Sequence, residues 1–207
     1  MTKVYLIRHG RTAWNKEVRF RGRVDLPLDE VGEAQARAIA LKLKSRPIKA
    51  IYSSPLERAI KTAEPLAEAL GLKVTPEEGF MDINYGQWQG LSPSQVAELY
   101  PDLYQIWLES PHLVRIPGGE SLDDVRARAE KALAKVLEQH PGEEIAIVGH
   151  QVVNKVLLCA VLGLGNEWFQ RIEQDNGCIN LFGYDGKGFT IFFLNDTCHL
   201  NQGDLTW

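Results

Sequence analysis

The chain is predicted to fold as an α/β protein around a mostly parallel central sheet. Three observations predict this. Short apolar runs recur, Val4-Tyr5-Leu6-Ile7 and Ile145-Ala146-Ile147-Val148 foremost, of the kind that form strands buried on both faces. Stretches with apolar residues at helical spacing alternate with those runs. Both of the strongest strand candidates end in a histidine beside a glycine, Arg8-His9-Gly10 and Gly149-His150. In open α/β sheets the carboxyl ends of the strands are where ligands bind.

Taken in order, the first strand leads into Gly10, read as the residue that lets the chain turn sharply. A polar loop follows over 11–28, carrying Asn15, Arg19, Arg21, Gly22 and Arg23. Asp29 reads as a helix cap, and Val31, Ala34, Ala38 and Leu41 at helical spacing predict a helix over about 30–45, stopped by Pro47. Ala50-Ile51-Tyr52-Ser53 is a second strand. Ser54 is read as the cap of the next helix with Pro55 in its first turn, which sets Arg58 one turn in and close to the edge where His9 lies. Gly71 ends that helix and Lys73-Val74-Thr75 makes a third strand.

From 77 to 119 the pattern loosens into aromatics, glycines and prolines, with one short helix expected near 93–100. This reads as an excursion over the carboxyl edge, either a substrate wall or a satellite core packed by Tyr85, Trp88, Tyr104 and Trp107; the two are compatible. Ser121 with Asp124 resembles a capping box, opening a long amphipathic helix that ends near His140-Pro141-Gly142. After the strand at 145–148 an apolar helix is expected over 152–164. Strands at 178–184 and 189–194, joined by Asp185-Gly186-Lys187-Gly188, complete the chain as a hairpin. No repeat or interdomain linker interrupts it, so one domain over 1–207 is expected.

The 207 residues, 44% hydrophobic and 24% charged, describe an ordinary globular protein. The net charge of -4 gives no reason to expect nucleic acid or an anionic membrane as partner. Three cysteines without paired spacing argue against a disulfide framework and a zinc site, and Cys159 and Cys178 sit in apolar contexts as core residues. No run approaches the roughly 20 apolar residues of a membrane span, and no signal peptide is read at the start. A cytoplasmic location is expected.

Two histidines and two arginines, Arg8 and Arg58, are expected at one sheet edge. A metal site would need a third ligand beside His9 and His150, and the arginines would repel a cation. A structural reading satisfies one histidine but accounts poorly for four such residues from separate segments. A phosphoryl site accounts for all four. Arginine forks pair with phosphate oxygens. Helix N-termini near Asn15 and Ser54 would add positive dipole ends. A neutral imidazole can hold the phosphoryl group covalently. Arg8, Arg58 and a protonated His150 would hold the equatorial charge. No cofactor or metal is then required.

Leu6-Ile7-Arg8-His9-Gly10-Arg11-Thr12 with Asn15 resembles the signature of the histidine phosphatase superfamily, the phosphoglycerate mutase-like proteins. Phe20-Arg21-Gly22, Ser53-Ser54-Pro55-Leu56-Glu57-Arg58-Ala59 with Thr62, Tyr85-Gly86-Gln87-Trp88-Gln89-Gly90, Pro117-Gly118-Gly119-Glu120-Ser121 and Val148-Gly149-His150 continue the match in order. The resemblance implies a three-layer α/β/α sandwich. It implies His9 as the phosphorylated nucleophile, with Arg8, Arg58, His150 and Asn15 around the phosphate. Arg21 and Gly22 fall where relatives touch phosphate. Two departures stand out. Asp82 occupies the position where relatives usually place a glutamate as the acid for the leaving oxygen, so a shorter carboxyl must be carried closer and kept protonated. Gln151 follows the second histidine, where many relatives have glycine; its N–H can still face phosphate while its side chain points elsewhere or touches substrate.

The superfamily holds phosphatases and mutases. The short chain favours water access, hence a phosphatase over a phosphoglycerate mutase or a non-catalytic phosphate binder. The segment Leu194-Asn195-Asp196-Thr197-Cys198-His199-Leu200, with Asp175-Asn176, resembles a metal-independent phosphoserine phosphatase subgroup, which makes His199 either a substrate contact or a surface histidine. A small phosphorylated metabolite is the expected partner. The final hairpin offers a surface for a homodimer that nothing in the sequence demands.

Overall fold

The opening apolar run becomes β1 (Thr2–Arg8), whose last five residues are all buried. β1 lies beside β4 (Glu144–Gly149) in parallel and beside β5 (Ile179–Tyr184) in antiparallel orientation. With β2 (Ile48–Ser53), β3 (Val74–Pro76) and β6 (Phe189–Asp196) the sheet runs β3-β2-β4-β1-β5-β6. The first four strands in that order are parallel; β5 runs against them, and β6, antiparallel to β5, returns to their direction. The computed structural model describes residues 1–200; the last seven positions of the expected 1–207 domain lie outside the described residues.

Alternation along the strands sends side chains to opposite faces and builds two cores. Leu6, Ile147 and Phe182 join α6 (Leu122–Gln139) and α7 (Gln151–Val161) on one face. Tyr5, Ile7, Ile51 and Val148 meet α2 (Glu30–Leu43) and α3 (Glu57–Leu70) on the other. The result is the three-layer sandwich around a mostly parallel sheet. Cys159 and Cys178 are core residues in it.

Local chemistry explains where helices begin, and in places corrects the sequence reading. Asp29 caps α2 by accepting from the Gly32 N–H, and Ser121 with Asp124 forms the expected capping box of α6. Ser54 does not cap α3. That helix starts later, at Glu57, with Leu56 at the cap position and no side-chain cap of its own. Its first N–H groups are served from a distance, Asp25 Oδ1 accepting from the Glu57 N–H at 2.7 Å. Arg58 is therefore in the first turn, nearer the strand ends. The polar loop contains a short helix, α1 (Ala13–Glu17), opened by a capping box between Thr12 and Asn15. The excursion holds two helices, α4 (Pro93–Leu99) and α5 (Pro101–Glu109), because Pro101 breaks the run and restarts it. Gly10 is needed for close approach rather than for a turn: a Cβ there would lie 2.5 Å from the Gly32 carbonyl oxygen at the start of α2.

The aromatics of the excursion form a satellite core. Trp88 is fully buried, with ring centroids 5.3 Å from Phe20, 5.8 Å from Trp107 and 6.3 Å from Tyr104. The segment also reaches the sheet edge, because Asp82 and Tyr85 line a cleft there with Phe20, Arg21 and Gln151.

Candidate active site

In the β1–β4 register Arg8 pairs with Gly149, so the next residue of each strand, His9 and His150, emerge side by side at the carboxyl edge. Their ring centroids are 5.0 Å apart and both residues are fully buried.

The two imidazoles are held in opposite tautomers. His9 Nδ1 sits 2.6 Å from the Gly10 carbonyl oxygen, an acceptor only, so Nδ1 carries the proton and Nε2 keeps its lone pair. His150 Nδ1 accepts from Arg58 Nε at 3.2 Å, so in His150 the proton is on Nε2. Burial holds both histidines well below the usual imidazole range, and Arg58 adds to the effect on each. The Arg58 bond and the burial of His150 both oppose the imidazolium expected from the sequence to meet charge in the transition state, since an imidazolium would point a second N–H at the Arg58 donor.

Arg58 is fully buried and engaged on both sides of its fork. Nη1 donates to the Val24 carbonyl at 2.8 Å, Nη2 to the Gly22 carbonyl at 2.7 Å, and Nη2 lies 3.5 Å from Asp82 Oδ2. Gly22 has a φ of +52°, and a Cβ there would lie 2.9 Å from the Ile83 carbonyl oxygen, so only glycine turns its carbonyl toward Arg58 without strain. Arg8 donates from Nη1 to the Gln174 carbonyl; burial and then Arg21 push its guanidinium down to about 10. Asp82 is 4% exposed, and burial raises its carboxyl above the usual range despite Arg58 and Arg21.

Four buried polar atoms converge here without a hydrogen-bond partner among the described residues: Arg8 Nε, His9 Nε2, Arg21 Nε and His150 Nε2. Three are N–H donors and one is a nucleophilic lone pair. Buried polar groups are as a rule paired, so four orphans gathered at one strand edge mark a place built for a polar ligand rich in acceptors. Among the described residues no three His, Cys, Asp or Glu side chains come together to hold a metal ion.

The model of the histidine phosphatase superfamily (branch 1) matches residues 4–197. The chain belongs to this superfamily. It is 36% identical over 202 residues to phosphoserine phosphatase 1 of Hydrogenobacter thermophilus, covering 98% of this chain and 96% of that protein. It is 32% identical over 205 residues to phosphoglycerate mutase-like protein 4 of Arabidopsis thaliana, covering 97% and 87%. The solved structure of Bacillus stearothermophilus YhfR superposes with a TM-score of 0.92 at 30% identity, over 96% of this chain and 99% of that one. The protein is a phosphatase-type enzyme. Its chemistry is that of the superfamily, hydrolysis or transfer of a phosphomonoester through a phosphohistidine.

Within this superfamily member the remaining sequence-predicted residues fall out unevenly. Asn15 is at the third position of α1 and its Oδ1 accepts from the Thr12 N–H and hydroxyl, at 2.9 and 3.0 Å. An amide so held can offer only its Nδ2–H to a ligand. Gln151 opens α7 and lines the cleft beside Arg21, Asp82 and Tyr85. His199 is hydrogen-bonded next to the end of β1. Its Nε2 contacts the Gly177 carbonyl at 3.0 Å, and the Gly177 N–H in turn donates to the carbonyls of Arg8 and His9, both at 3.2 Å. Its Nδ1 is buried without a hydrogen-bond partner among the described residues. The residue ties the tail to the end of β1.

Several residues that support the site were given no role by the sequence, Thr62 having entered only as part of the motif that follows Arg58. Thr62 accepts from the Gly10 N–H at 3.0 Å and donates to the Arg58 carbonyl at 2.7 Å, tying the nucleophile's loop to α3. Gln174 and Asn180 bond each other, and Asn180 holds the Leu6 carbonyl. Arg128 donates to the carbonyls of Gly79, Met81 and Asp82 while Glu120 accepts from Arg128 and Arg23. The only trace of Glu120 in the sequence was its place in the Pro-Gly-Gly-Glu-Ser motif.

Proposed function

We propose that the protein hydrolyses the phosphomonoester of a small metabolite through a phosphohistidine on His9, with O-phosphoserine as the favoured substrate. The observation that carries this reading is the set of four orphaned atoms: a tetrahedral phosphoryl group satisfies the donors Arg8 Nε, Arg21 Nε and His150 Nε2 while lying against the His9 Nε2 lone pair.

The step sequence follows from the tautomers. His9 Nε2 attacks phosphorus as the P–O bond to the alcohol breaks, and the departing oxygen takes the proton of Asp82. The charge that develops on His9 is met by the Gly10 carbonyl on Nδ1–H. Water then attacks phosphorus, the P–N bond breaks, Asp82 recovers a proton from the water and phosphate leaves. His150 donates Nε2–H as a neutral group throughout. Arg58 supplies positive charge and holds His150 in place, its fork being occupied by Gly22 and Val24.

The phosphoserine assignment is supported by the relative of that name and by the tail residues 194–200 that suggested it. The test is phosphate release in the presence of chelator from phosphoserine, 3-phosphoglycerate, fructose phosphates and an aryl phosphate, beside a His9→Ala control. Chelator-resistant release led by phosphoserine and lost in the control is expected. Efficient interconversion of 3- and 2-phosphoglycerate with little release would instead assign the protein to the mutases.

A further inference from the structure

Lys155 is a buried cation that the mechanism above does not use. It lies one helical turn beyond Gln151 on α7, on the face that carries Gln151 into the cleft. It is 7% exposed, and its Nζ lies 5.3 Å from the centre of the Phe169 ring. Among the described residues its ion-pair partner is Glu173, at 3.8 Å and outside hydrogen-bond reach, with the Glu173 side chain 72% exposed. The acidic neighbour Asp175 is already engaged, its Oδ2 accepting from Asn195 Nδ2 at 2.6 Å. Arg8 reaches the same segment from the other side through the Gln174 carbonyl.

Arg8 and Lys155 thus approach neighbouring residues from the nucleophile side and from α7, Arg8 bonded to the Gln174 carbonyl and Lys155 only loosely paired with Glu173. Burial holds the Lys155 ammonium below its usual range; Glu173 opposes this, and Arg8 adds a smaller push in the same direction as burial. Two cations facing one short segment with a loose, solvated counter-ion make a place where a second anion beside the phosphate gains most. We propose that Lys155 is a specificity-determining residue, binding a carboxylate of the substrate whose phosphate lies at His9, with Glu173 swinging into solvent as that carboxylate arrives.

This rests on the hydrolase reading above and deepens it toward carboxylate-bearing phosphate esters. The test compares kcat/KM for O-phosphoserine with that for phosphoethanolamine, which keeps the phosphate ester and the ammonium but lacks the carboxylate. Wild type, Lys155→Met and Lys155→Arg are measured side by side. The expected result is a preference ratio that collapses about tenfold in Lys155→Met, through KM rather than kcat, and returns in Lys155→Arg, the scale of one charge-assisted hydrogen bond. A ratio unchanged in Lys155→Met overturns the proposal. So does an equal loss on both esters, which would assign Lys155 to packing against Phe169. Where the wild type leaves phosphoserine intact, the same ratio is read with 3-phosphoglycerate against glycerol 3-phosphate. A collapse there upholds the lysine while the phosphoserine reading falls. A wild type that favours the carboxylate in neither pair overturns the proposal.

Discussion

Arg58 Nε donates to His150 Nδ1 across 3.2 Å of buried space, and this one bond decides what His150 can do. It places the imidazole proton on Nε2, which like His9 Nε2 is buried without a partner among the described residues. A lysine at position 58 keeps the charge but has no Nε–H in that plane and cannot also hold the Gly22 and Val24 carbonyls. Arg58→Lys is expected to lower kcat about a hundredfold or more. Nitrogen NMR of His150 checks the cause: a single Nε2–H tautomer in wild type, and a tautomer mixture with a higher pKa in the variant.

Asp82 is expected to act as the acid because burial raises its carboxyl, so its proton persists to higher pH than in water. Asp82→Asn is expected to slow alkyl phosphate hydrolysis by about two to four orders of magnitude. An aryl phosphate, whose leaving oxygen needs no proton, loses far less. In wild type kcat/KM for the alkyl ester falls as pH rises through the raised Asp82 pKa, and that limb disappears in Asp82→Asn. Undiminished turnover of the alkyl ester by the variant would remove Asp82 from the mechanism.

The buried histidines tie stability to acid pH. Both have folded-state pKa values well below 6.5, the unfolded value. Above pH 6.5 neither state takes up these protons and no penalty exists. As pH falls below 6.5 the unfolded chain binds protons that the folded site refuses, so stability declines at about 1.4 kcal/mol per pH unit for each histidine. Chemical denaturation between pH 7 and 5 checks the slope, and His150→Gln is expected to remove about half of it.

Glu120 accepts from Arg23, Arg128 and the Asn84 N–H, and Arg128 in turn holds the Asp82 carbonyl at 3.0 Å. Glu120→Gln is expected to destabilise the fold by about 1–3 kcal/mol, discounted for the partial exposure of the arginines. It should also slow an alkyl phosphate more than an aryl phosphate, because the loss falls on the placement of Asp82. Denaturant titration and the ratio of the two rates check both parts. Equal slowing of the two esters would separate Glu120 from Asp82.

Much of the site was legible as a pattern. A strand buried on both faces must be apolar throughout, so 4–7 and 145–148 announced themselves, and with them the positions of His9 and His150. The caps at Asp29 and Ser121 are local hydrogen bonds between neighbours in sequence and were equally plain. The start of α3 was not, because its cap, Asp25, is brought from a distant loop.

The order of the residues in the chain was enough to specify the strands, the two histidines that end them, the arginines beside them and the carboxyl at position 82, since each rests on a short-range period or motif. Only the tertiary structure decided the tautomers, the elevation of Asp82 and the bond between His199 and the Gly177 carbonyl. Those properties depend on which donor faces which acceptor and on how completely water is excluded, and both are set by contacts between segments far apart in sequence.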